Sequence, residues 1–414
     1  MDERALSLLL SPDGWALLGA LPPYDERLAM VLSDRLRKEG VEPDLVAAAL
    51  TQSRLRAKGR EKFGDFADGM LFTPAGLEQA TRLTVGARHA HRYTAAGCTR
   101  VADLTCGIGG DAMALAALGL SVVAAEVDEL TAAVATVNLR HFPETVVRHV
   151  DGLTLDVARD GTEGIDGVFA DPARRTAAGR RRHDPAAYTP PLDDVLEVRR
   201  RNPALGVKVG PAIPHTAVPD DAEAQWVSVD GDVVEAGLWF GPLATDGPGR
   251  TALVLRGETA ATLRTPDDGV PTADAGPPGA YLYEPDGAVI RAGLVSLVAE
   301  RVHGRLLDPT IAYVTSDHLA PGAERPTGTS SADDVDVRAL STAYRVLDVM
   351  PFGLKRLRTA LRERGVGRVT IKKRGTAVVP EQLRKQLDLR GDAEATVVLT
   401  RVGGTQQVLL VEPV

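Results

Sequence analysis

The stretch VADLTCGIGGDAMALA, residues 101 to 116, constrains the fold most. A short apolar run ends in the acid Asp103, passes through Gly107, Gly109 and Gly110, and enters a helix-forming segment. Such a strand, glycine turn and helix is the repeating unit of an α/β sheet, whose ligands bind at the carboxyl edge of the strands. Glycines let the backbone approach a ligand closely. By itself the turn fits a dinucleotide, a phosphate or another nucleoside-bearing ligand, and it also fits a plain tight connection. It departs from the dinucleotide fingerprint, because no GxGxxG follows the strand, which makes nicotinamide chemistry a weak reading. It also lacks the lysine and Ser/Thr of a phosphate-binding P-loop. A carboxylate at Asp103 repels pyrophosphate and favours a ligand carrying a cation, while Asp111 sits at the positive end of the following helix.

Further short Val/Ala/Leu runs follow the first: SVVAAE, TVVRHV, GVFA and LGVKVG, interleaved with helical or loop segments. Runs of this kind are expected in a parallel sheet buried on both faces. Acids close them in turn. Glu126 stands 23 positions after Asp103, where an acid in a doubly wound sheet accepts both hydroxyls of a ribose. Asp151 follows the third run and Asp171 the fourth, so four consecutive strands each deliver a carboxylate to one edge. Lys208, at the end of a fifth run, is placed equally well in the pocket or on the surface. The later runs SVDGDVVEAGLWFG and RTALVL leave no room for helices and predict an antiparallel edge.

A chain of 414 residues exceeds what one core usually organises. Residues 1–95 read as helical, with Thr73 and Pro74 as cap and first residue of one helix. Residues 96–264 carry the sheet, 281–340 form a connecting segment, and 341–414 read as strand, helix, strand, helix, strand, strand. Pro/Gly/Asp-rich stretches at 265–280 and 318–334 mark loops or linkers. The two cysteines, Cys98 and Cys106, are too few for a disulfide framework, and with no signal peptide or membrane span in the sequence a cytoplasmic setting is expected. The eight histidines have no metal-ligand spacing, so no metal is expected.

On these motifs the chain resembles class I S-adenosylmethionine-dependent methyltransferases, a Rossmann-like α/β fold. It is most similar to a bacterial and archaeal group with a helical N-terminal region and a small C-terminal THUMP-like α/β domain. In that group MLFTPAGLEQATR, DLTCGIGGD, DPARR and IKKRG occur in this order. A more distant likeness is to trimethylguanosine synthases. The resemblance implies that S-adenosylmethionine is held by Asp103, Thr105, Cys106, Gly107, Gly109, Gly110 and Asp111 in the glycine turn. Glu126 and Asp128 follow at the second strand, and Asp151, Gly152 and Leu153 along the adenine edge. DPAR stands at the position of the catalytic motif, giving catalytic roles to Asp171, Pro172 and Arg174. Ala173 and Arg174 replace the second proline and stacking aromatic of amino-methylating enzymes. Asp171 is therefore expected to position an N–H of the substrate, and Arg174 or Arg175 to hold a phosphate.

The charge distribution points to the substrate. Residues 344–390 hold 13 Lys/Arg and 4 Asp/Glu, an excess of +9 in a chain whose formal net charge is −8. Segregation of this kind is the footprint of a polyanion-binding face. Arg368, Lys372, Lys373 and Arg374 cluster around GRVTIKKRG and are the candidate RNA contacts, in line with the THUMP-like resemblance. The run Arg180, Arg181 and Arg182 follows the DPAR loop and reads either as a solvated loop or as a second basic contact. Two alternatives remain: a methyltransferase acting on a protein or small metabolite, and a catalytically degenerate RNA-binding protein.

Overall fold

Six helices precede the first strand in the computed structural model, which describes residues 1–173, 187–265, 269–320 and 336–414. They are α1 (Glu3–Leu10), α2 (Pro12–Ala20), α3 (Ala29–Lys38), α4 (Pro43–Phe63), α5 (Pro74–Gln79) and α6 (Leu83–Ala95). The Thr73 hydroxyl accepts the Gly76 N–H at 3.0 Å and Pro74 opens α5, as the sequence predicts. Gln52, buried on α4, bonds both the N–H and the carbonyl of Phe72, at 2.9 and 2.8 Å, which pins the extended segment before α5. Gly76 lets α5 close on the glycine turn, because a Cβ there would lie 2.4 Å from Ile108 Cγ2.

The chain forms two compact units, Met1–Val209 with Leu238–Gly247, and Gly210–Gly237 with Pro248–Val414. The first holds β1 (Arg100–Asp103), α7 (Gly110–Ala117), β2 (Ser121–Glu126), α8 (Glu129–Leu139), β3 (Thr145–His149), β4 (Gly167–Ala170), α9 (Leu192–Glu197) and β5 (Leu205–Val209). Its strands lie in the order β3-β2-β1-β4-β5, and every pair is parallel. The core of this unit joins Phe63, Phe72 and Tyr93 from the helical region to Val101, Val122, Phe169 and Trp239.

In the second unit β6 (Glu223–Val229) and all but the last two residues of β7 (Asp232–Trp239) are joined at Asp230 and Gly231, both in left-handed backbone conformation. β8 (Gly249–Arg256) and β9 (Thr259–Arg264) follow. The antiparallel edge predicted for these runs is only partly correct. β6 and β8 pair in parallel, and the antiparallel edge is β8 with β9. β7 acts as the return stroke between β6 and β8, which makes a crossover helix unnecessary.

The same unit contains β10 (Tyr281–Pro285), α10 (Gly287–Arg291), α11 (Val295–Arg301), β11 (Arg305–Asp308), β12 (Ile311–Ser316) and α12 (Val337–Leu340). It ends with β13 (Ser341–Pro351), α13 (Leu354–Glu363), β14 (Val366–Lys373), α14 (Pro380–Leu387), β15 (Ala393–Val402) and β16 (Thr405–Pro413). The strands form one sheet, β11-β12-β10-β13-β16-β15-β14, so residues 281–316 contribute three strands to the sheet of the C-terminal segment. Leu357 and Leu361 of α13 and Leu383 and Leu387 of α14 pack on Val397, Leu399, Val408 and Leu410. No helix among the described residues is long and apolar enough to cross a membrane.

Candidate active site

Parallel register gathers the strand-end acids. Asp103 pairs with Ala124 and with Phe169, so Glu126 and Asp171 each stand two residues beyond its level. Glu126 pairs in turn with His149, with Asp151 two residues on. The glycine turn continues from β1 with Gly107 and Gly109 at φ of +55° and +88°, a region that favours glycine. Glu126 is tied to this turn: its Oε2 accepts the Gly107 N–H at 3.0 Å and its Oε1 the Asp128 N–H at 2.9 Å. Asp128 caps α8 by accepting the Thr131 N–H at 2.9 Å. Asp151 accepts the Leu153 N–H at 3.0 Å, and Gly152 lies so close to β1 that a Cβ would meet Leu104 O at 2.1 Å. Cys106 is a buried free thiol whose N–H bonds Ala125 O at 2.9 Å. Burial, first, and then Asp103 push its pKa well up, which disfavours the thiolate.

Asp103 is buried, and only its Oδ1 is engaged, by the Thr105 N–H at 3.2 Å. Among the described residues Oδ2 has no hydrogen-bond partner. Burial, first, and then the Asp111 charge raise its carboxyl well above the usual carboxylate range. An acid with an orphaned oxygen at the mouth of a glycine turn fits a cationic ligand. S-adenosylmethionine meets that requirement through its sulfonium and ammonium groups, and Glu126 suits its ribose.

Asp111, at the start of α7, has the opposite character. Burial alone would raise its pKa, but Lys208, His89 and Thr81 outweigh it and hold the carboxyl at about 2. Thr81 Oγ1 donates to Asp111 Oδ2 at 2.6 Å, His89 Nδ1 lies 3.0 Å from Oδ1, and Lys208 Nζ lies 3.9 Å from Oδ2. Lys208 donates to Thr81 Oγ1 at 2.7 Å and forms an ion pair with Asp171 Oδ2. The Asp171 N–H bonds Thr105 Oγ1 at 2.6 Å, which ties the DPAR loop to the turn two residues past the first strand. Pro172 is buried beside it, and Arg174 and the run at 180–182 lie outside the described residues.

Sequence reasoning missed Thr81, the Asp111 partner of His89, and Asn138. Asn138 donates to Ile108 O at 2.9 Å and Leu71 O at 3.0 Å, and accepts the Leu71 N–H at 2.7 Å. The available signal was a lone amide in the otherwise apolar helix ELTAAVATVNL.

In the second unit Lys372 donates to Glu284 Oε2 at 2.6 Å and lies over the Tyr344 ring, 5.5 Å from its centre. Arg374 lies 3.9 Å from Glu284 Oε1 and over the Tyr313 ring. Arg368 pairs with Glu394, and Lys373 bonds Val378 O at 2.9 Å. Among the described residues no cluster of three or more His, Cys, Asp or Glu could hold a metal.

A parallel sheet with a glycine turn, an acid tied to that turn and a buried acid with an orphaned oxygen is the arrangement expected of the class I methyltransferase type. Two relatives from Mycobacterium tuberculosis, strains CDC 1551 / Oshkosh and ATCC 25618 / H37Rv, are described as uncharacterized S-adenosylmethionine-dependent methyltransferases. Each is 34% identical over 358 residues, 84% of this chain and 91% of its own length. The chain belongs to this family of S-adenosylmethionine-dependent methyltransferases, and S-adenosylmethionine is its cofactor. A crystal structure assigned as a methyltransferase from Porphyromonas gingivalis W83 shares the fold, with a TM-score of 0.70 at 21% identity, over 94% of this chain and 99% of that one. Residues 341–413 match a THUMP domain-like family, and residues 2–59 a domain of unknown function.

Proposed function

We propose that this methyltransferase modifies a base of a structured RNA, which its C-terminal segment recruits. The observation that carries the reading is the THUMP domain-like match at 341–413, in the same stretch as the +9 charge excess of residues 344–390. Lys355, Arg356, Lys373 and Lys385 stand exposed there, where phosphates can reach them. Few aromatics accompany them, so phosphate contact and shape supply the recognition.

At the reaction centre S-adenosylmethionine supplies an electrophilic methyl group. Asp103 and Glu126 bind and orient the cofactor. Asp171 accepts an N–H of the acceptor base and aims the nitrogen lone pair, and alignment of this kind is worth roughly 7–11 kcal/mol in well-oriented systems. The pairing of Lys372 and Arg374 with Glu284 favours a second reading, in which the C-terminal segment is structural and the acceptor is a protein or small metabolite.

The test is transfer of a tritiated methyl group from S-adenosylmethionine to RNA from a strain lacking the protein, followed by nucleoside mass spectrometry. A single labelled nucleoside supports RNA as substrate. Label confined to protein or small molecules supports the second reading.

A further inference from the structure

Behind Asp171 lies a cluster of buried polar and charged groups, Lys208, Thr81, His89 and Asp111, to which the proposed reaction gives no role. Lys208 is 5% exposed, and its ammonium bonds Thr81 Oγ1, pairs with Asp171 and faces Asp111. Burying an ammonium this deeply is costly unless it is paired and hydrogen-bonded. The site meets that cost with two carboxylates and a hydroxyl drawn from three separate stretches of chain. Thr81 is itself oriented, because its hydroxyl donates to Asp111 while accepting from Lys208. His89 steadies the other oxygen of Asp111 and is wedged between the rings of Phe169 and Trp239, 5.5 and 5.3 Å away.

We propose that Lys208 is a positioning residue for methyl transfer: it grips Oδ2 of Asp171 and so fixes the carboxylate that meets the acceptor N–H. Thr81 and Asp111 form the seat that holds it. The inference rests on the reading of Asp171 as the acceptor-facing group, and it adds a function for the helical N-terminal region, which supplies Thr81 and His89. Besides Lys208 and Asp171, the titratable groups at the cluster are Asp111 from α7, His89 from α6, Asp103 from β1 and Lys62 from α4. Lys62 is pulled down to about 8 by burial, first, and by Lys208.

The experiment uses the full-length protein, tritiated S-adenosylmethionine and total RNA from a strain lacking the protein. It compares the wild type with Lys208→Met, Lys208→Arg, Asp171→Ala and the Lys208→Met/Asp171→Ala double variant. Lys208→Met is expected to slow transfer roughly 100-fold, the cost of a misplacement of about 1 Å. Its cofactor affinity by calorimetry should stay within about threefold, less than half of the 1.4 kcal/mol that makes a tenfold change. With its cation gone, Asp171 protonates more readily, so the acidic limb of the pH–rate profile moves to higher pH. Lys208→Arg restores part of the rate and of the limb. The double variant is no slower than Asp171→Ala, since both changes disable one device.

An inactive Asp171→Ala beside a Lys208→Met variant with wild-type rate and limb overturns the proposal alone. Wild-type activity in Asp171→Ala overturns the reading beneath it. Should Lys208→Met fail to fold, Thr81→Val removes the seat while leaving the charge, and an unchanged rate there overturns the proposal equally.

Discussion

Asp103 and Asp111 stand eight positions apart and their environments push them in opposite directions. The partners of Asp111 hold its carboxyl down at about 2, whereas burial raises that of Asp103 well above 3.8. Because the pKa of Asp103 in the folded protein is raised above 3.8, its contribution to stability is complete below 3.8 and is lost as pH rises through the raised value. A cationic ligand favours the ionised form, so at pH values below that raised pKa cofactor binding releases a proton and tightens with rising pH, by up to about tenfold per unit. Calorimetry in two buffers of different ionisation enthalpy measures that proton, and Asp103→Asn should abolish both its release and the slope. Pressure on Asp111 runs the other way: the stability it lends is present above 3.8 and falls away as pH drops through about 2.

Among the elements, α8 carries its function in one side chain. Asn138 joins the extended segment at Leu71 to the glycine turn at Ile108. Asn138→Leu strands three buried backbone groups, and the loss is expected on the order of 3 kcal/mol. A urea melt measures it, and cofactor affinity should weaken too as the turn loosens; a variant as stable as the wild type would contradict this account. The glycine turn and the acids at the carboxyl ends of β1, β2 and β4 were legible in the sequence because a parallel sheet places every such end on one edge. The Thr81, His89 and Lys208 cluster was not, because its hydroxyl and ammonium come together from positions 127 residues apart. Lys208 at a strand end was visible as a choice between pocket and surface, and only packing decided it. The parallel pairing of β6 with β8 escaped for a related reason, since short runs without helices between them read as hairpins.

At the scale of the whole molecule, an acidic chain with a basic C-terminal segment should bind RNA through charge. If about five cations neutralise phosphates of a single strand, the slope of log affinity against log salt is near −3.5, a loss on the order of 100-fold between about 50 and 200 mM. Replacing the exposed Lys355, Arg356 and Lys373 together should flatten that slope by about two units. A slope that ignores these residues would move RNA binding elsewhere on the protein. The proposed division of labour at the sheet edge gives the cofactor to Asp103 and Glu126 and the acceptor to Asp171. Its most direct test is Asp171→Ala measured two ways, by calorimetry for S-adenosylmethionine and by tritiated methyl transfer to RNA. Wild-type cofactor affinity with transfer slowed roughly 100-fold or more is the predicted result. Unchanged transfer, or cofactor affinity lost along with it, would contradict the account.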